Sequence, residues 1–208
     1  YYWYNKCYEN FSSFLDNLKR KKRKNIIKER EYLKKNNINL IVKKGDEICN
    51  EDLDLFFKCY LNTINKKWSI AYLKLSFFNQ LIKSSVKQKI ILIQAFHKNE
   101  FVGCSLHFIG EKTLFGRYWG CLKEIPFLHF ELCYYSAIEF AIKNNLQKVE
   151  AGAQGEHKIA RGYEPRLTYS NHWFDHIKLG PLIKKFLIEE KKNVKNTIDY
   201  LNQFVPFK

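Results

Sequence analysis

Three β-rich segments, residues 90–97, 101–109 and 113–121, follow one another with only Lys98-Asn99-Glu100 and Gly110-Glu111-Lys112 between them. Connections this short join antiparallel neighbours, because a parallel crossover needs about a dozen residues or more. The chain must therefore build an antiparallel meander, and the remaining elements must pack on it. Pro126 then opens a helix over residues 127–144, where Leu128, Leu132, Tyr135, Ile138 and Ile142 form an apolar stripe. Residues 147–151 read as strand and 156–161 as a short helical piece ended by Gly162. Residues 167–174 read as the last strand, and 180–203 as a final amphipathic helix. Ahead of the meander, 10–34 reads as one helix, 38–42 as a short strand, 50–65 as a helix capped by Asn50, and 70–83 as another helix. A meander followed by an α-β-α-β tail predicts a mixed α+β fold.

Composition narrows the class. With 17 Phe, 13 Tyr and 4 Trp among 208 residues, the chain has ample apolar material to collapse. The longest apolar run, residues 90–96, is strand-sized and far below the roughly 20 residues of a membrane span. The start, Tyr1-Tyr2-Trp3-Tyr4, lacks the charged-then-apolar order of a secretion signal. Six cysteines show no CxxC and no zinc-finger spacing to histidine, so they read as small core residues in a reducing, cytoplasmic protein. Met is absent even at position 1, which predicts a piece of a longer protein. No repeat or linker divides it, so 1–208 reads as one domain, with the basic helix and strand of 1–45 leading to an upstream segment.

The formal charge is +15, and all but six of the 36 basic residues are lysine. An AT-rich genome writes lysine into any protein, so the total charge alone names no partner. Clustering is more informative. Lys19-Arg20-Lys21-Lys22-Arg23-Lys24 is an unbroken basic run suited to a phosphate backbone.

The densest polar cluster follows the strand at Glu150. Gln154, Glu156, His157, Lys158, Arg161, Tyr163, Glu164 and Arg166 surround the small residues Gly152, Ala153, Gly155 and Gly162. A strand that ends in a Gly-containing loop before a helical turn exposes backbone N–H groups, which favour an anion or a developing oxyanion. A carboxylate, an imidazole and two cations in one cleft suit proton transfer, although a polar loop with surface ion pairs would have the same composition. A second cluster, Phe115-Gly116-Arg117-Tyr118-Trp119-Gly120, ends the meander. Alternation sends Arg117 and Trp119 to one face and Tyr118 to the other. A third, His129-Phe130-Glu131-Leu132-Cys133-Tyr134-Tyr135, starts the long helix. There Glu131 serves either the helix dipole or a proton-transfer step. His172 and His176 are four apart, but residues 171–174 read as strand and there is no HExxH, so no metal site is expected.

These blocks carry a resemblance. The three clusters, with Arg161-Gly162-Tyr163-Glu164-Pro165 and Ser170-Asn171-His172-Trp173, resemble the bacterial N-acyltransferases labelled peptidoglycan biosynthesis/recognition. These are FemAB-like members of the GNAT superfamily. Arg20, Arg23, Asn25 and Arg30 match that family's Arg-rich segment, and Ala153-Gln154-Gly155-Glu156-His157-Lys158 is the most specific part of the match. The resemblance implies a GNAT-like fold, with a central, mostly antiparallel sheet flanked by helices, and transfer of an acyl or aminoacyl group to an amine. Glu150 or Glu156 would be the base, with His157 assisting. Lys158, Arg161 and Arg117 would hold the donor, N–H groups near Gly155 would polarise the carbonyl, Gln154 would also bind substrate, and Glu131, Tyr118, Trp119, Tyr163 and His172 would shape the pocket. Ordinary GNAT enzymes wrap a CoA pyrophosphate in a Gly-rich loop after the third meander strand. Here that loop is Leu122-Lys123-Glu124-Ile125-Pro126-Phe127, with no glycine. The implied donor, a co-substrate rather than a resident cofactor, is acyl-CoA, acyl carrier protein or aminoacyl-tRNA, with tRNA contact through Lys19 to Lys24. The alternative is a non-catalytic module of the same fold that binds RNA or a cell-wall precursor.

Overall fold

A computed structural model of the chain describes residues 1–174 and 179–208. The meander forms as expected: β3 (Ile90–His97), β4 (Glu100–Ile109) and β5 (Thr113–Cys121) pair antiparallel, and β2 (Ile38–Lys44) adds on the far side of β3. β6 (Lys148–Glu150) lies parallel to β5, and β1 (Tyr2–Tyr4) lies antiparallel to β6. The six-stranded order is β1-β6-β5-β4-β3-β2.

The sheet is buried on both faces, which is why β3 reads as a nearly continuous apolar run. Ile91, Ile93 and Ala95 face one core with Phe14, Leu132 and Ile138. Ile90 and Leu92 face the other with Phe56, Tyr60 and Phe78. The first face carries α1 (Phe11–Asp16), α2 (Arg20–Lys35) and a helical rod made of α5 (Leu128–Phe130), a π-helical turn (Glu131–Tyr135) and α6 (Ser136–Lys143). The second carries α3 (Asn50–Lys66) and α4 (Leu75–Leu81). The last helix, α7 (Leu179–Asn202), buries only Leu201 among its described residues.

Four expectations are corrected. Residues 167–174 form no strand; the free edge of β6 is taken by β1, whose Trp3 is fully buried, and Tyr2 exchanges backbone hydrogen bonds with Glu164 at 2.9 and 2.7 Å. The helix expected over 10–34 breaks at Leu18, because the C-terminal tail inserts there: Lys19 N–H donates to the Pro206 carbonyl and Lys208 N–H to the Asn17 carbonyl. The helix expected over 70–83 shortens to α4, since Leu73 N–H is held by the Tyr60 hydroxyl and Tyr72 reaches across to Tyr118. Of the cysteines, Cys7 and Cys49 are exposed rather than core.

Two features fix the sheet against its layers. Gly120 meets α3 so closely that an added Cβ would lie 2.2 Å from the Cys59 carbonyl oxygen. On the other face, the buried Ser105 hydroxyl donates to the Leu132 carbonyl in the π turn at 2.9 Å, and so accepts from His107 Nε2 at 2.8 Å. His107 is thereby a neutral donor, and burial holds its pKa down to about 4. Its proton affinity is higher in the unfolded chain, so this contribution is complete above about pH 6.5 and is lost as pH falls towards 4, by up to roughly 3 kcal/mol. Urea unfolding between pH 7 and 4 should show that loss, with a shallower slope in His107→Asn; parallel slopes would contradict it. Gly120→Ala should destabilise by about 1–3 kcal/mol in the same assay; wild-type stability would show that α3 can retreat from β5 without cost.

Candidate functional site

β6 stops at Glu150, so the parallel pairing of β5 ends at Phe115–Glu150 while β5 runs on to Cys121. The edge of β5 beyond Gly116 is therefore open on the β6 side. A register shift against β4 sets Tyr118 opposite Leu106 and Gly116 opposite His107, leaving Arg117 as the extra, bulged residue. The carbonyls of Trp119 and Cys121 turn away from β4 and accept from Thr63 Oγ1 at 3.1 Å and Asn62 Nδ2 at 2.6 Å. In an extended strand the N–H of a residue points the same way as its carbonyl, so the Trp119 N–H also faces this opening.

A cleft of about 640 Å³ lies along the open edge, between the end of α3 and the loop that enters the helical rod. Trp119, Phe127, Leu128, His129 and Phe130 give it an apolar wall, and Lys66 and Lys67 stand at its rim. Lys66 is paired with Glu124 at 2.7 Å. The glycine-free loop thus lines the cleft, and Phe127 makes the turn into the rod with a φ of 67°.

From the cleft wall the rings continue as a ladder, from the half-buried Trp119 and His129 to the exposed His157. His129 stacks on Trp119 with centroids 4.3 Å apart, and its ring lies 5.9 Å from that of His157. His157 Nε2 meets the Tyr134 hydroxyl at 3.0 Å. Burial, then the nearby His157, Lys158, Arg161 and Lys67, pushes the His129 pKa down to about 4. Partial desolvation of the exposed His157 lowers its pKa too, with Arg161 and Lys158 adding to the effect. Both imidazoles are neutral at pH 7. The loop at 151–155 delivers His157 by a conformation that only glycine takes comfortably: Gly155 has a φ of 96°, and a Cβ there would sit 2.5 Å from His157 Cε1. Lys158 braces that loop, donating its ammonium to the carbonyls of Gln154 and Gly152.

The other sequence-derived candidates fall in distinct places. Gln154 and Glu156 are exposed on the loop and its turn. Glu150 and Glu156 act electrostatically on the Tyr2 and Tyr1 phenols, on the β1 side of the loop. Arg117 is exposed at the bulge, over the Phe115 ring. Tyr118 lies on the opposite face of the sheet from Trp119, bonded to the Tyr72 hydroxyl at 2.7 Å. Glu131 is buried and held at 3.0 Å by both arms of the Arg30 guanidinium, with Ser136 donating at 2.9 Å. Burial still leaves its pKa raised. Tyr163 is fully buried, its ring 5.5 Å from that of Tyr134. His172 lies in the exposed, irregular stretch before residue 175, bonded to Ser170 at 2.9 Å, and His176 falls outside the described residues. Arg161 is buried, stacked 3.4 Å over Phe130. The sequence assigns no role to Tyr134, His129, Thr63 or Lys67; the first two fall in the aromatic cluster at 129–135, and nothing local marks the last two.

Among known proteins, FemX overlays with a TM-score of 0.51 at 12% identity, over 83% of this chain and 55% of FemX. An aminoglycoside acetyltransferase from an uncultured soil metagenomic sample, in complex with sisomicin, overlays at 0.48 and 10% identity, over 69% of this chain and 98% of that one. L-PGS from Bacillus licheniformis overlays at 0.46 and 13% identity, over 82% of this chain and 49% of that one. No curated protein matches the sequence. The FemX likeness agrees with the strand order in giving a GNAT-like fold, and this chain spans about half of FemX. Among the described residues, no helix is long and apolar enough to cross a membrane. The FemAB-like family, described as peptidoglycan biosynthesis/recognition, matches residues 1–208, and the chain belongs to it.

Proposed function

We propose that this chain is a cytoplasmic N-acyltransferase of cell-envelope metabolism, which moves an acyl or aminoacyl group from an activated donor to an amine. The observation that carries the reading is the His157 ring, 5.9 Å from that of His129, which lines a cleft of about 640 Å³ along an open strand edge. A donor carbonyl placed against β5 accepts from the Trp119 N–H, and the oxyanion formed on attack keeps that bond. The donor's acyl part lies on Trp119 and His129, and its anionic part at Lys67. The acceptor amine attacks from the His157 side. His157 takes the amine proton as the N–C bond forms, and returns it to the leaving thiolate or ribose oxygen as the C–S or C–O bond breaks. The donor is acyl-CoA, acyl carrier protein or aminoacyl-tRNA; for the last, Lys19 to Lys24 at the start of α2 are placed to meet the RNA backbone. Glu150 and Glu156 are the competing bases.

A donor screen with product mass as the readout tests the reading. His157→Ala should lower kcat by about a hundredfold or more in the active pairing. Turnover within threefold of wild type would exclude His157, and a loss confined to Glu150→Gln or Glu156→Gln would move the base to a carboxylate. Activity should rise with pH through an acid limb below the ordinary histidine value of about 6.5, because the His157 pKa is lowered; a limb above that value contradicts a neutral, cation-flanked imidazole.

Gly155→Ala should fold yet lose at least about tenfold in kcat, since its Cβ displaces the His157 ring. Wild-type turnover in that variant would show that the ring's position is immaterial.

A further inference from the structure

The turn that carries His157 is tied to a helix far away in sequence. Arg161 donates from Nη1 to the His157 carbonyl at 2.8 Å and from Nη2 to both Glu29 carboxylate oxygens at 3.1 Å. Glu29 lies in α2, and the Tyr135 hydroxyl donates to the same carboxylate. The Arg161 and Glu29 side chains are only 10% and 15% exposed. The guanidinium plane stacks on Phe130, whose ring in turn lies 5.8 Å from that of His157. Arg161 is thus held inside the protein by the His157 carbonyl, Glu29 and the Phe130 ring.

A buried ion pair is a weak source of stability, because desolvation offsets most of the attraction. This one also leaves the Arg161 Nε buried without a partner. What the pair does secure is geometry: the His157 backbone from one side, and Phe130 beneath its ring from the other. We propose that Glu29 is a positioning residue for His157, acting through Arg161 and joining the basic helix to the site. The inference rests on His157 being the base.

The groups facing His157 are His129 and Tyr134 from the rod, and Lys158 and Arg161 from its own turn. Arg161 disfavours the imidazolium, and Glu29 neutralises Arg161. Removing the cation should therefore raise the His157 pKa, and removing the carboxylate should lower it further. A structural role alone would not produce these opposite signs.

The test is an NMR titration of the His157 imidazole, assigned by its loss in His157→Ala. Arg161→Met should raise its midpoint, and the isosteric Glu29→Gln should lower it, each by about half a unit or more. In the assay above, both should cut kcat by about tenfold or more, with donor KM within threefold of wild type. Unmoved midpoints, or shifts of one sign in both, overturn the proposal, as does a large KM increase at constant kcat, which would make Arg161 a donor-binding group. Should Arg161→Met not fold, Glu29→Gln decides alone, because the sign of its shift is fixed. Full turnover in His157→Ala would instead remove the base assignment, while the titration still reports whether Glu29 acts on the ring.

Discussion

The short parallel ladder between β5 and β6 governs everything around it. Three pairs, ending at Phe115–Glu150, hold the strands together before β6 stops and β5 continues for six more residues. A strand cannot leave its polar edge buried without partners. α3 answers part of that demand by donating from Asn62 and Thr63 to two carbonyls, and the Trp119 N–H on the same edge is left to face the cleft. The opening is thus a direct result of where one short strand ends.

The packing on either side maintains the opening. Gly120 lets α3 approach β5 to backbone contact, so the far wall cannot close over the edge. The π turn brings Tyr134 to His157 and the Leu132 carbonyl to Ser105, and a π turn is the way to add a residue to a helix without breaking it. The rings of Trp119, His129 and His157 then carry the cleft wall to the loop at 151–155. A row of neutral imidazoles among cations is an electrostatic result: burial and positive neighbours both disfavour protonation.

Much of this was legible in the sequence, because the signals were local. Two three-residue connections fixed the meander, the 3.6-residue stripe marked the rod, and Gly155 and Gly162 bracketed the turn with His157. What was missed depends on contacts between distant segments. Tyr2 to Tyr4 became an edge strand because β6 offered an unpaired edge, while the aromatic-rich 167–174, of similar texture, did not pair. Glu131 is bound by Arg30, 101 residues earlier, a pairing that no local signal marks. Glu150 and Glu156 stand near His157 in sequence, and both act electrostatically on the tyrosines of the β1 side. Glu29 carried no local mark, since its partner Arg161 lies 132 residues away.

Amide hydrogen exchange on the full chain, with and without the productive donor, tests the placement of the chemistry most directly. A carbonyl bound against the free edge of β5 predicts selective protection of the Trp119 amide and its neighbours towards Cys121, with slower exchange in the 155–161 turn. Protection confined to the basic start of α2, with the β5 edge exchanging as before, would contradict the account.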